Sequence, residues 1–153
     1  MTDTFTARLG GANTFAVAAP ARSLVDIADV PLAAWRDLFS RALEPNAFYH
    51  PAWARAASQH SREAAGAKAL LVWDPNNRSR LIGLMPVVWS WQALGLPLPV
   101  LVAWQPYTRL TTPLLDAEHA YEAASGLIDA ARDAGAIAIL HGDHAPDGPA
   151  AQM

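Results

Sequence analysis

Residues 81–104 read LIGLMPVVWSWQALGLPLPVLVAW, and the way this stretch folds decides the architecture. No charged side chain lies between Arg80 and Arg109, a span long enough for a membrane-crossing helix, which takes about 20 apolar residues. Pro86, Gly95, Pro97 and Pro99 argue against a helix, because an interior proline removes a hydrogen bond and clashes with the preceding turn. Ser90, Gln92 and Gln105 dilute the apolar run further. β-branched and aromatic residues bounded by Gly and Pro fit two buried strands instead, 81–91 and 100–104, joined by a turn over 95–99. Pro86 then implies a sheet edge or a bulge at its position.

Outward from this core, residues 69–73 (ALLVW) form a short apolar strand, and Asp74-Pro75-Asn76-Asn77-Arg78 has turn chemistry. The two strands flanking that turn should pair as an antiparallel hairpin. Further upstream, 15–30 reads as extended, with an alternating piece at 24–27, and Pro31 suits the first position of a helix. Leu32, Trp35, Leu38, Phe39 and Ala42 share one face of that helix, which stops at Glu44-Pro45. A second helix opens at Pro51, turns Trp53 and Ala57 inward, and closes at Gly66. Downstream, a polar loop over 105–115 leads to a third helix, 117–134, capped by Asp116. Its buried stripe is Tyr121, Ala124, Leu127, Ile128 and Ala131, and Gly135 supplies the C-terminal cap. Residues 136–140 are apolar without alternation, as expected of a strand covered on both faces. Strand, helix, helix, three-strand meander, helix, strand is an α+β order, with a mostly antiparallel sheet flanked by helices.

At 153 residues, with 52% hydrophobic and 16% charged, the chain suits one globular domain and not a disordered segment. A net charge of −3 gives no footprint for a nucleic-acid backbone, and the absence of cysteine excludes disulfides, thiolate metal sites and a Cys nucleophile. The mixed charge of the first residues and the short apolar run at 15–19 do not make an export signal, so a cytoplasmic location is expected. The division expected is a flexible 1–14, a domain over 15–141 and a flexible tail over 142–153.

Several strings carry a family resemblance: Trp35-Arg36-Asp37-Leu38-Phe39; Glu44 through Trp53 (EPNAFYHPAW); Leu81-Ile82-Gly83-Leu84-Met85-Pro86-Val87; and Pro113-Leu114-Leu115. Over roughly 15–140 the chain resembles the GNAT acyltransferase fold, specifically the N-terminal half of the CelD/FemAB-like acetyltransferases associated with cellulose and exopolysaccharide biosynthesis. The resemblance implies acyl transfer from acetyl-CoA or another acyl-CoA to an amine or hydroxyl of a small-molecule or glycan-precursor acceptor. In single-domain members the donor pyrophosphate lies at a helix N-terminus fed by a Gly-rich turn, where unpaired amides and the helix dipole attract anions. The corresponding stretch here, Gln105 to Pro113, contains no glycine, so no acyl-CoA is expected to bind this chain tightly. Two accounts follow. The chain is an acceptor-side half, truncated and inactive alone, whose donor-binding C-terminal half or a partner chain covers its exposed sheet; or it is a non-catalytic binding module with a degenerate GNAT fold.

Candidate substrate-binding residues are Phe48, Tyr49, His50 and Trp53 at the helix–helix joint, and Trp104, Tyr107 and Arg109 at and after the strand over 100–104. An Arg clamps a carboxylate or phosphate in a bidentate fork, and aromatic rings line an acceptor cleft. The plainer alternatives are a hydrophobic staple, a half-buried Tyr and a surface Arg. Trp89 and Trp91 share strand parity and offer one face for sugar stacking or a partner, against ordinary core packing. His141-Gly142-Asp143-His144 has metal-ligand residue types, but a third or fourth ligand could come only from Asp147 or the distant His50, His60 and His119, and a solvated strand end needs none of them. Glu118 and Glu122, at i and i+4, fall on the solvated side of the third helix. No nucleophile elbow, phosphate loop or paired-carboxylate site is present, so no catalytic residue, cofactor site or metal site is assigned.

Overall fold

The computed structural model describes residues 21–60, 66–104, 107 and 110–142. The proposed flexible end 1–14 lies outside them, as do Arg109 and all of the proposed tail 142–153 except Gly142. The order is β1 (Arg22–Asp26), α1 (Leu32–Ser40), α2 (Pro51–His60), β2 (Lys68–Trp73), β3 (Leu81–Trp89), α3 (Ser90–Ala93), β4 (Val100–Ala103), β5 (Leu114–Leu115), α4 (Ala120–Asp133) and β6 (Ala138–Leu140), with single 3₁₀ turns at 27–29 and 47–49. The strands form one sheet in the order β1-β2-β3-β4-β6, with β5 also paired to β3. All pairings are antiparallel except β4–β6. This is the expected α+β layer. No described helix is long and apolar enough to cross a membrane.

The β2–β3 hairpin closes as its turn residues dictate. Asp74 Oδ1 accepts the Asn76 amide, and Asp74 N and Arg80 O close the turn. Every β3 residue from Leu81 to Val88 is buried, because helices cover both faces of the sheet there. The bulge predicted in β3 lies at Ile82, not Pro86: Val72 pairs with Gly83 while Trp73 pairs with Leu81. The extra residue turns Ile82 toward the α4 face, although Leu84, of the same parity, faces α1 and α2.

Pro86 sits in the middle of the sheet, contrary to the edge expected. On one side β3 runs along β2; on the other it pairs first with β5 at 83–84 and then with β4 at 87–89. Trp104 N donates to Pro86 O at 2.9 Å, so the proline's carbonyl and its N–H-less nitrogen both face the seam between β5 and β4. A missing donor costs least where one partner strand ends and the next begins.

Under α1 and α2 lie Trp35, Leu38, Tyr49, Leu71, Leu84 and Leu114, all 2% exposed or less. Trp53 points out and Ala54 points in, the reverse of the inward Trp53 expected. The other face is covered by α4, whose buried positions are Ala123, Gly126, Leu127, Ala130 and Ala131. The stripe expected through Tyr121 and Ile128 is wrong, for those two side chains are exposed. Small residues win this interface because they let the helix approach the sheet: a Cβ on Gly126 would stand 2.6 Å from Val72 Cγ1, and one on Gly83 3.3 Å from Ala123. The helix also starts three residues later than expected, at Ala120. β6 is not covered on both faces. It is an edge strand that pairs with β4 alone among the described strands: Ile139 packs half-buried on the α4 side, while Ala138 and Leu140 are exposed.

Candidate functional site

The joint between α1 and α2 is wired to the loop that leaves β4. Asn46, fully buried, donates through Nδ2 to Leu110 O (3.3 Å) and Thr112 O (3.1 Å), while its Oδ1 accepts the Phe48 amide at 3.1 Å. The Tyr49 hydroxyl donates to Trp104 O at 3.1 Å, and Trp35 Nε1 donates to Tyr49 O at 2.9 Å. Burial holds the Tyr49 hydroxyl far above its ordinary pKa, so it remains a donor. The joint thus fastens the two ends of the 104–112 loop.

Among the predicted substrate-binding residues, Tyr49 and Trp104 are therefore core. Phe48, Trp53 and Tyr107 form an edge-to-face aromatic row, with ring centroids 6.2 Å and 5.6 Å apart, and Trp53 and Tyr107 are exposed. His50 packs edge-on against Phe39 at 4.8 Å, and its Nδ1 accepts the Ala52 amide, so it starts α2 instead of joining the row. Trp104 Nε1, Thr111 Oγ1 and Thr112 Oγ1 are buried without a hydrogen-bond partner, three such atoms within one loop.

Trp89 and Trp91 do not offer one strand face. The chain leaves β3 after Trp89, and the two rings stack on each other, with centroids 4.6 Å apart and planes 9° from parallel.

A groove of about 510 Å³ opens between α4 and β6. Met85, Leu115, Leu127, Ile128 and Ile139 make it aliphatic, and Thr112, Arg132 and His141 add the polar atoms. Its size suits a small organic ligand, and no carboxylate lines it among the described residues. His141 is held locally through Nδ1 to Gly142 O at 3.0 Å; Asp143 and His144, the rest of the candidate metal cluster, lie outside the described residues.

The approach to α4 is acidic. Buried Asp116 accepts from Arg80 through Nε (3.1 Å) and Nη2 (2.9 Å), and it also ion-pairs with Arg41 Nη1. Its other oxygen accepts the Glu118 amide at 2.9 Å, so it caps the turn before the helix and not the helix itself. Glu118 pairs with Arg80 at 2.7 Å, and that hydrogen bond and the neighbouring guanidinium hold its carboxyl below the usual range. Asp116, Glu118 and His119 lie close enough to share a cation. The two guanidiniums already on Asp116 make the group a latch between α1, β3 and α4, not a metal site. Glu118 therefore precedes the helix, and only Glu122 stands in its first turn.

Sequence reasoning missed the groove and the latch. Arg41, Arg80 and Asp116 lie 36 to 75 positions apart and carry no spacing signal. No family model, curated protein or solved structure matches this chain.

Proposed function

We propose that this chain is the acceptor-side domain of a GNAT-like acyltransferase, binding an acceptor while a second domain or chain holds the acyl-CoA donor. The observation that carries this reading is the acidic entry to α4. A diphosphate at a helix N-terminus needs amides that point at it and no competing negative charge. Here Asp116, Glu118 and Glu122 gather at that end, and the two guanidiniums beside them, Arg41 and Arg80, are already held by Asp116 and Glu118. The acceptor side is better provided. The exposed Trp53–Tyr107 row suits the apolar face of a sugar ring, and the α4–β6 groove suits an aliphatic group. Acyl-CoA chemistry places such a domain in the cytoplasm.

The alternative, a binding module outside acyl transfer, gains support from the lack of any carboxylate among the described residues that line the groove. One titration tests both readings together and a second separates them. Acetyl-CoA added to the chain in a calorimeter gives no binding in the micromolar range on either reading, and a micromolar Kd overturns both. Cellobiose, as a glycan probe, shifts the backbone amide signals around Trp53 and Tyr107 if the domain is acceptor-side and leaves them in place if it is not.

A further inference from the structure

The α4–β6 groove is a concave site of small-molecule size, about 510 Å³, and its polar side chains stand at its two ends. The sheet fixes the first end. β5 pairs Leu115 with Gly83 and Leu114 with Leu84, which places Thr112 level with Pro86, where β5 gives way to β4. His141 follows Leu140, the partner of Val102, and so comes down beside the same seam. Arg132 lies at the other end, in the last turn of α4, just before the chain enters β6. Between the ends run Met85, Leu127, Ile128 and Ile139. The helical wall from Ala124 to Arg132 is ~12 Å long, at 1.5 Å per residue.

Three observations name the occupant. No Trp, Tyr or Phe lines the groove among the described residues, in a chain with six tryptophans, so it is not built to stack a ring. Arg132 is the one permanently charged side chain of the described lining. Its contact with Asp129 is long, 3.4 Å, and Arg22 takes that carboxylate at 2.7 Å, so the Arg132 fork is open to an anion. Thr112, 2% exposed, has its Oγ1 buried without a hydrogen-bond partner, a state that costs free energy until a ligand atom answers it.

We propose that the groove binds a straight aliphatic chain of about ten carbons, with a carboxylate in the Arg132 fork and a hydroxyl or carbonyl oxygen at the far end on Thr112. Burial of the methylene groups between Met85, Leu127 and Ile139 supplies most of the affinity, and the two ends fix the direction of the chain. A cationic ligand would meet Arg132, and an aromatic one would find no ring to stack on. The proposal rests on the acceptor-side reading, in which this groove takes the aliphatic part of the acceptor, and it names the class of that part.

Titration of the whole chain with 10-hydroxydecanoate, followed by the backbone amide signals, tests this. Saturable shifts are expected at Leu127, Ile128 and Ile139, with a Kd of about 1 mM or tighter. Decanoate lacks the far oxygen and should bind about fivefold more weakly, the scale of one hydrogen bond. Thr112→Val should erase that preference, with far-ultraviolet circular dichroism checking its fold. Arg132→Gln changes an exposed side chain, so the fold is kept, and it should weaken both ligands about tenfold. The proposal is overturned if neither ligand shifts these amides, if decanoate binds as tightly as its hydroxylated form, or if Arg132→Gln leaves the affinity unchanged. Neither probe is a sugar or an acyl donor, so such a result bears on this groove alone, whereas failure of the acceptor-side reading shows at Trp53 and Tyr107 with cellobiose.

Discussion

Two uncharged aromatic segments of this molecule, 46–53 and 89–99, meet opposite fates. The first sends Asn46 and Tyr49 into the core, where each side chain donates to a carbonyl of a distant segment, and its Tyr49 carbonyl takes the buried Trp35 indole of α1. The hydrogen bonds within the second are local, such as Leu94 N to Ser90 O and the Ser90 hydroxyl to Leu98 O, and its leucines are left to solvent. The difference is the range of the hydrogen bonds. Long-range bonds tie a segment to the rest of the fold; local ones let it stand away from it. Aromatic content alone therefore does not mark the core: Trp35 is fully buried and Trp91 half exposed.

The largest effect that sharpens this contrast is Trp35→Ala, expected to cost about 3–5 kcal/mol in denaturant unfolding, whereas Trp91→Ala should cost less than about 1 kcal/mol. Equal losses would break the comparison. Next, Gly126→Ala should cost about 1–3 kcal/mol, because its Cβ meets Val72 at 2.6 Å. Gly95→Ala in the second segment has open space around its Cβ, so its cost, about 1–2 kcal/mol, comes only from its φ of +67°. Asn should therefore rescue position 95 and not position 126.

Tyr49→Phe should cost about 1 kcal/mol at neutral pH, for one hydrogen bond. It also has a pH signature. The folded-state pKa of Tyr49 is raised, so its contribution is full below the unfolded value near 10 and is lost as pH rises above that toward the folded value. The parent should lose stability steeply above pH ~10, and Tyr49→Phe should flatten that slope. Glu118 has the opposite sign: its lowered carboxyl contributes above its ordinary range and is lost as pH falls through the folded value, an effect that Arg80→Gln should remove. The smallest expected change is Leu94→Glu, within about 0.5 kcal/mol, since the second segment carries little of the fold.

Much of the fold was legible because it rests on local signals. The Asp74–Arg80 turn, the capping prolines and the uncharged run at 81–104 each announce their element. What failed depended on neighbours in space. The face of α4 was misread because hydrophobicity favours Ile128 and Tyr121, whereas close approach to Val72 and Gly83 selects Gly126 and Ala123. Pro86 reads as an edge or a bulge because the sequence does not show that two short strands share one side of β3. β5, two residues long, has no pattern to read. For the candidate site, the residue types at the joint were legible, but the division between core (Tyr49, Trp104) and surface (Trp53, Tyr107) followed from long-range bonds. The groove draws its walls from β3, β5, α4 and β6, and no local string describes it.

The most direct test of the functional account is to follow the backbone amides of Ala117 to Ala123 by nuclear magnetic resonance while acetyl-CoA is added in excess. The carboxylates at the start of α4 should keep the diphosphate away and leave these signals where they are. Saturable shifts confined to that turn would mean that the helix receives the donor after all, and the assignment of this domain to the acceptor side would be wrong.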